Sequence, residues 1–327
     1  MRGVFALAIF LHHFYPCGDG KSLFPAGGDC GVAFFFMLSG FVLCAGYAKR
    51  VEAGTFACGR YLVKRLARIY PLHLLCLCWA VAIAGWHMPK LAGVLNLLLL
   101  QSWLPVKDIY FSGNAVAWCL SDLLLFYCLF PMLSKAAVRR TKIFIGVAVS
   151  VSVMYVLFVV PNVPESLCDA LIYINPLSRL LDFALGMCAW FLYDKLRGVE
   201  KVNSLPSAYR HMLKTVAVAL VVITVLLWSK VPQCYALSCL WWPAMFALII
   251  VFALYNSRLL NYPPLFYFGN ISFSFYMVHV LCIKTFAILY LKLGIHLPPY
   301  AELMAAMAAS IAIAALFSLE RRKSKNR

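Results

Sequence analysis

The stretch NAVAWCLSDLLLFYCLFPML, residues 114–133, indicates the environment in which this protein folds. It is mostly apolar and close to the roughly 20 residues that a helix needs to cross the hydrocarbon core of a bilayer. It nevertheless contains an acid, Asp122, next to Ser121 and one helical turn after Trp118. Ionisable groups at membrane depth are rare and usually line a cavity or a substrate path. The stretch therefore predicts a transmembrane helix that carries part of a functional site.

The rest of the chain has the composition of a membrane protein. Of its 327 residues, 64% are hydrophobic and 13% are charged, which is more apolar than a soluble domain. We predict ten transmembrane helices, the first of them short, at 3–16, 31–48, 69–88, 115–134, 142–161, 172–194, 212–229, 236–255, 271–293 and 299–319. A further apolar stretch, 92–104, is interrupted by Asn96 and Gln101 and is predicted to form a surface or re-entrant helix.

The basic residues predict the orientation in the membrane. Most of the 29 Lys and Arg residues fall in segments that a ten-span topology with both termini in the cytoplasm places inside, as the positive-inside rule requires. We therefore predict an all-α polytopic protein of the cell membrane, specifically a bacterial cytoplasmic membrane. Residues 1–319 are predicted to form a single transmembrane domain, and 320–327 a short basic cytoplasmic tail.

Charge and cysteine usage exclude two other classes of function. The net charge of +17 is spread over separate loops and makes no single groove, so nucleic acid is not expected as a partner. Most of the 13 cysteines lie within apolar runs, where Cys behaves as a small apolar residue, and neither CxxC nor HExxH occurs. We predict no metal site. Cys17 and Cys30 share the first outer loop and are candidates for a disulfide if the outside is oxidising.

Five ionisable side chains are expected at membrane depth, and the spacing alone leaves two interpretations open for them. They are His13, Asp122, Arg179, Asp182 and His279. Arg179 and Asp182 are three residues apart on one helix, so they can form an ion pair. Such a pair either holds helices in register or belongs to a substrate path. For Asp122 the alternatives are a packing hydrogen bond with Ser121 and a chemical role.

Six sequence patches follow one another along the chain. They are Arg2-Gly3 followed by His13, GVAFFFMLSGF at 31–41, RLARIYP at 65–71, AWCLSDLLLFYCLFP at 117–131, NPLSRLLDFALGM at 175–187 and GNISFSFYMVHV at 269–280. In content, order and spacing they resemble the acyltransferase 3 family, integral membrane O-acyltransferases that act on sugars and surface polysaccharides. The resemblance covers nearly the whole chain. It implies an enzyme, an acyltransferase that transfers groups other than amino-acyl groups.

The resemblance also implies roles for residues that match the motifs. Arg2 and His13 match the N-terminal Arg and His most often linked to activity, and Arg65 and Arg68 match an RxxR-type motif. Donor binding is therefore expected at Arg2, Arg65 and Arg68. Substrate-binding or structural roles are expected for a further group whose members lie in the remaining motifs: Ser39 in an SGF turn, Trp118, Ser121, Arg179, Asp182, and His279 in a YxxH-like pattern.

One position departs from the family pattern. Many members carry a glutamate five residues after the tryptophan, where this chain has Leu123, with Asp122 directly before it. Successive helical residues point about 100° apart. Two alternatives follow: Asp122 takes over the glutamate's role with a shifted geometry, or it serves another purpose.

The chemistry of acyl transfer identifies catalytic candidates independently of the family. A hydroxyl acceptor needs a base, and the imidazole of His13, with an ordinary pKa near 6.5, can accept a proton at physiological pH. A carboxylate such as Asp122 or Asp182 can orient that imidazole. A covalent Ser or Cys intermediate and a direct transfer both remain open, although no GxSxG is present.

These observations combine into one predicted function and one alternative. We predict an O-acyltransferase, in the first instance an O-acetyltransferase, that uses cytoplasmic acyl-CoA, with acetyl-CoA preferred, as co-substrate and no tightly bound cofactor. The acceptor is an extracytoplasmic sugar of a polysaccharide or glycolipid, and the partners are the lipid bilayer and proteins of envelope biosynthesis. Arg60 and Lys64 are interpreted as positive-inside anchors. The alternative is a transporter or flippase of a saccharide or acyl-linked substrate, although no internal repeat supports it.

Overall fold

The computed structural model describes residues 1–15, 21–84, 88–257 and 260–325. The protein is 82% helical, and those ranges contain no β-strand, which confirms the all-α prediction. The helices are α1 (Arg2–His13), α2 (Gly27–Glu52), α3 (Cys58–Ala84), α4 (Lys90–Leu98), α5 (Lys107–Tyr110), α6 (Trp118–Arg139), α7 (Thr141–Met154), α8 (Pro176–Leu196), α9 (Glu200–Asn203), α10 (Ser207–Trp228), α11 (Gln233–Ala236), α12 (Trp242–Leu254), α13 (Pro263–Leu293) and α14 (Pro299–Lys325).

Seven helical segments within the described ranges are long and apolar enough to cross a membrane. They are Gly27–Glu52, Cys58–Ile83, Trp118–Arg139, Thr141–Asn162, Ser207–Trp228, Pro263–Leu293 and Pro299–Ser318. The other three predicted spans do not fall on such segments. One lies on α1, which has 12 residues, and one on α8, which contains two charged side chains in its apolar stretch. The third lies on the short apolar segment Cys239–Leu254. The count of ten spans stays a prediction.

The bundle has two ends, which we name the Arg2 end and the Trp118 end. Helix α1 begins at the Arg2 end, and α13 runs in the same direction beside it, since Gly3 lies next to Gly269 near one end of their contact and His13 lies next to His279 at the other. Helices α2, α6 and α8 begin at the Trp118 end. This parallel arrangement is seen in the packing of Phe36 on Trp118 and of Phe41 on Trp190.

Helices α2 and α8 approach each other closely because glycines face each other where they cross. A Cβ atom on Gly40 would lie 2.1 Å from the carbonyl oxygen of Phe183, and one on Gly186 would lie 1.8 Å from that of Met37. Small residues at such crossings let membrane helices pack backbone to backbone. The expected SGF turn is therefore wrong: Ser39 and Gly40 lie within α2, where the glycine serves helix packing.

The residues around Asn175 determine where α8 begins. The side chain of Asn175 caps the helix by accepting hydrogen bonds from the backbone N–H of Leu177, at 2.9 Å, and of Ser178, at 3.4 Å. Pro176 occupies the first helical position, where its missing N–H and fixed φ suit a helix start. The first turn of α8 therefore ends at Arg179, at the Trp118 end of the bundle.

A disulfide links two connecting segments at the same end. Cys168, before α8, is bonded to Cys234 in α11. The suggested pairing of Cys17 with Cys30 is not supported, because Cys30 carries a free thiol, whose Sγ donates to the carbonyl of Gly27 at 3.4 Å. Cys17 lies outside the described residues.

Candidate active site

A cavity of about 140 Å³ lies between α1, α2, α3, α6 and α13. Arg2, Arg65 and Arg68 line it, as does Ser39. Most of the remaining wall is apolar, and the phenol of Tyr276 adds a polar group. The fold thus brings together four residues that the sequence analysis had assigned to three separate motifs.

Aromatic rings hold one of these arginines in place. Nη2 of Arg65 donates a hydrogen bond of 2.8 Å to the hydroxyl of Tyr47, and its guanidinium lies over the rings of Tyr47 and Tyr61, 5.2 and 5.6 Å from the centroids. Stacking on aromatic faces is a property of Arg that Lys does not share. The neighbouring basic residues Arg60 and Lys64 are exposed and do not line the cavity.

The convergence of positive charge gives the cavity its electrostatic character. Arg2 and Arg68 interact unfavourably with each other, since like charges repel across a partly desolvated space. A bound anion relieves this repulsion. Guanidinium groups bind phosphate in bidentate geometry and are well suited to it.

Two histidines from distant parts of the sequence meet beyond the cavity. Nδ1 of His13 on α1 lies 3.2 Å from Nε2 of His279 on α13. The same Nδ1 lies 2.9 Å from the carbonyl oxygen of Ile9, and Nδ1 of His279 lies 2.7 Å from that of Tyr276. Both Ile9 and Tyr276 line the cavity. The histidine pair therefore lies one helical turn farther from the Arg2 end than that part of the wall.

These contacts assign the protons of the two neutral rings. A carbonyl oxygen only accepts, so Nδ1 carries the proton in both His13 and His279. Nε2 of His279 is then an acceptor, and the Nδ1–H of His13 is shared between it and the carbonyl of Ile9. Nε2 of His13 is left unprotonated, which is the state required of a general base.

Asp122 and Leu123 point to different surroundings. Leu123 lines the cavity, whereas Asp122 does not. Asp122 is fully buried and interacts electrostatically with Arg179 and Asp182, while neither of its carboxylate oxygens has a hydrogen-bond partner. Asp122 therefore faces surroundings different from the cavity wall that position 123 forms, and within the described residues it makes no hydrogen bond to His13. The structure places His279, not a carboxylate, beside the proposed base.

A second group of residues surrounds Arg179. Its Nε lies 3.4 Å from Oδ2 of Asp182, its Nη1 donates to the carbonyl of Leu237 at 3.2 Å, and both charged side chains are fully buried. The other carboxylate oxygen of Asp182 accepts a 3.0 Å hydrogen bond from Nε1 of Trp242. The expected pairing of Arg179 with Asp182 within one helix is present. We call Arg179, Asp182, Asp122 and Asp29 the Arg179 cluster.

Asp29 belongs to this cluster but was missed by the sequence analysis. It is buried at the start of α2, accepts a 2.7 Å hydrogen bond from Nε1 of Trp228 and interacts electrostatically with Arg179. The predicted span began at residue 31, so Asp29 was assigned to a loop. An acid within the glycine-rich stretch GGDCG, directly before an apolar run, was the available signal.

The ring of Phe36 contacts both the cavity and the Arg179 cluster. Phe36 lines the cavity, and the guanidinium carbon of Arg179 lies 5.3 Å from the centroid of the same ring. Trp118 packs edge-on against Phe36, with centroids 6.2 Å apart, and contacts Tyr173 at 4.9 Å. Ser121 accepts a hydrogen bond from Ser102 at 2.7 Å. The predicted residues therefore divide into two adjoining groups.

Comparison with known proteins identifies the family. Residues 1–319 match the sequence profile of the acyltransferase domain. The chain belongs to the acyltransferase 3 family. It is 30% identical to acyltransferase MdmB of Streptomyces mycarofaciens over 79% of this chain and 68% of that protein. It is 28% identical to the putative membrane-bound transacylase BcsY of Komagataeibacter xylinus over 77% of this chain and 66% of that protein. No solved structure matches.

Membership of the family settles the general activity. The protein is an integral membrane acyltransferase, so the predicted class of enzyme is confirmed and the transporter alternative loses its support. The chain spans about two thirds of the length of these two relatives. Within the described residues, no three His, Cys, Asp or Glu side chains converge on a point that could hold a metal ion.

Proposed function

We propose that this protein is an O-acyltransferase that moves an acyl group, in the first instance acetyl, from acyl-CoA to a hydroxyl of an extracytoplasmic sugar. One observation carries the proposal: Nδ1 of His13 is held by the carbonyl of Ile9 and by His279, one helical turn beyond a cavity lined by three arginines, which leaves Nε2 as the basic nitrogen of the ring. The cavity supplies a site for an anionic donor and the histidine supplies a base. Transfer of an acyl group to a hydroxyl needs both.

In this proposal the donor enters from the Arg2 end, which faces the cytoplasm. Arg2, Arg65 and Arg68 bind the phosphates of acyl-CoA, and the thioester arm follows the apolar cavity wall. Arg2 and His13 lie at opposite ends of α1, eleven residues apart and therefore separated by about 16 Å along the helix axis. This offset lets a long donor be held by its phosphates at one end while its thioester reaches the histidine at the other.

The proposed reaction is a direct transfer. Nε2 of His13 takes the proton of the acceptor hydroxyl as its oxygen attacks the thioester carbon, and the resulting imidazolium returns the proton to the departing CoA thiolate. The carbonyl of Ile9 and Nε2 of His279 both accept from Nδ1–H of His13, so they stabilise the positive charge on the ring and fix its orientation. His279 thereby performs the role that a carboxylate has in other triads.

Transfer of radiolabelled acetyl from acetyl-CoA to envelope glycans tests the proposal in membranes that contain equal amounts of each variant. We expect His13→Ala to lower the rate about 10²- to 10⁴-fold, the usual contribution of a general base. His211→Ala is the matched control, because that histidine is exposed on α10 and hydrogen-bonds with Ser207 one turn earlier on the same helix. Equal labelling by wild type and His13→Ala would refute the role of His13, and no labelling by wild type would refute the donor and acceptor together.

A further inference from the structure

The Arg179 cluster contains more unsatisfied polar groups than a structural ion pair requires. Neither the carboxylate oxygens of Asp122 nor Nη2 of Arg179 has a hydrogen bond of normal geometry, although the hydroxyl of Ser102, which donates to Ser121, also interacts with Asp122. Asp122 and Arg179 are both fully buried. A buried polar group without a partner is strongly destabilising, and structural ion pairs normally have their remaining hydrogen-bonding capacity satisfied. Such groups are instead characteristic of a site that a ligand completes.

The chemistry of the cluster selects the kind of ligand. The guanidinium of Arg179 is already paired with Asp182, and the carboxyl groups of Asp29 and Asp122 also interact with it. An anionic ligand would therefore find no unpaired cation in the cluster, whereas a neutral group that carries hydroxyls finds oxygen atoms without a partner on Asp122. The free Nη2 of Arg179 can donate to the same group. A hydroxyl satisfies both requirements, because it donates one hydrogen bond and accepts others.

Aromatic surfaces complete the site. The rings of Phe36 and Tyr173 lie against the guanidinium of Arg179, 5.3 and 5.7 Å from its carbon to each centroid, and Trp118 packs on both. Ligand sites combine such apolar surfaces with a few convergent polar groups. A pyranose ring has this dual character, with hydroxyls at its edge and C–H groups on its faces.

Hydrogen bonds also fix the position of the cluster relative to His13 and His279. The side-chain amide of Asn114 donates to the carbonyl of Met277 at 2.8 Å, and the hydroxyl of Tyr276 donates to the carbonyl of Val116 at 2.8 Å. These two bonds fix the start of α6, which carries Trp118 and Asp122, to the turn of α13 that precedes His279. The acceptor groups and the histidine pair are thus parts of one framework.

We infer that the Arg179 cluster is the acceptor subsite and that it takes a neutral sugar residue, whose hydroxyls bind Asp122 and Arg179. The inference rests on the proposed function. It excludes a uronic acid or a phosphorylated sugar at this position, since the cation of the cluster, Arg179, is already paired with Asp182.

The first test determines which sugars receive a radioactive acetyl group. Envelope glycans are labelled with radioactive acetyl-CoA and cleaved to acetylated monosaccharides under conditions that keep the ester, and the labelled sugars are separated into neutral and acidic fractions. Label on neutral sugars is expected. Label confined to acidic sugars would overturn the inference while leaving the acyltransferase proposal standing, whereas no labelled glycan at all would refute both.

The second test separates acceptor binding from donor binding. We expect Asp122→Asn and the charge-keeping Arg179→Lys to raise the apparent KM for envelope glycan about tenfold or more, as loss of a hydrogen bond to a charged group predicts. The KM for acetyl-CoA should stay at the wild-type value, which also shows that the donor site is folded. Asp108→Asn, which removes an exposed acid, is the control and should change neither constant. An unchanged KM for glycan in both cluster variants, or an equal rise in both constants, would overturn the inference.

Discussion

Gly40→Ala tests the close crossing of α2 and α8 with a single methyl group. The new Cβ would lie 2.1 Å from the carbonyl oxygen of Phe183, against an ordinary contact of at least 3.4 Å, so the helices must separate locally by about 1.3 Å. The obstructing atom is backbone, so no side-chain rotation relieves the clash. Overpacking of this kind costs about 1–3 kcal/mol.

The displacement also reaches the functional site. Phe183 directly follows Asp182, so a shift of α8 moves Asp182 and Arg179 relative to Phe36 on α2. A misplacement of about 1 Å can lower an enzyme's rate about 10²-fold. We therefore expect Gly40→Ala to lower the thermal unfolding midpoint and to reduce acetyl transfer by up to about that factor, both measured in the same detergent-purified preparation.

Gly46→Ala provides the matched control. It lies six residues later on the same helix, and a Cβ there would meet nothing within 4 Å. Because alanine is favoured over glycine in a helix by about 0.5–1 kcal/mol, its unfolding midpoint should equal or exceed that of the wild type. If Gly40→Ala matches the wild type in both stability and activity, or if the two variants are equally impaired, the reasoning about the crossing is wrong.

Three further predictions concern the donor cavity and the disulfide. Arg65→Lys keeps the charge but loses the stacked planar guanidinium, so the KM for acetyl-CoA should rise about tenfold, whereas Arg60→Lys should leave it unchanged; equal effects would argue against the assigned site. Leu123→Ala enlarges the cavity wall and should raise the rate with butyryl-CoA relative to acetyl-CoA, and an unchanged ratio would show that Leu123 does not limit acyl length. The double variant Cys168→Ser/Cys234→Ser removes a bond that closes a sequence separation of 66 residues and should lose about 2–4 kcal/mol of stability; its unfolding midpoint should match that of reduced wild type and should not respond to dithiothreitol.

The helical class was predictable because it depends on composition and on the length of apolar runs. Seven of the predicted spans overlap long apolar helices, although α2 begins at Gly27 rather than near residue 31. The role of Gly40 was not predictable, since a glycine inside an apolar run looks the same whether it makes a turn or a helix crossing. Only the position of α8 distinguishes the two.

The sequence predicted which residues belong to the site better than it predicted how they are arranged. Sequence motifs named Arg2, Arg65 and Arg68 together, and the fold places all three at one cavity. The pairing of His13 with His279 joins residues 266 positions apart, a contact that no local spacing can reveal. Asp122 was singled out as unusual, but its surroundings could not be chosen, because successive residues of one helix face different parts of the bundle.

The position of Phe36 bears on proton leakage through the protein. The arginine-lined cavity and the Arg179 cluster are polar regions that meet at this ring, and a continuous polar path through a bilayer would carry protons down their gradient. Phe36 is fully buried and is flanked edge-on by Trp118 and Phe126, at centroid distances of 6.2 and 5.2 Å, so aromatic side chains pack together where the two regions meet. An apolar ring at this position allows an enzyme to have charged groups on both sides of it without a continuous polar path for protons across the membrane.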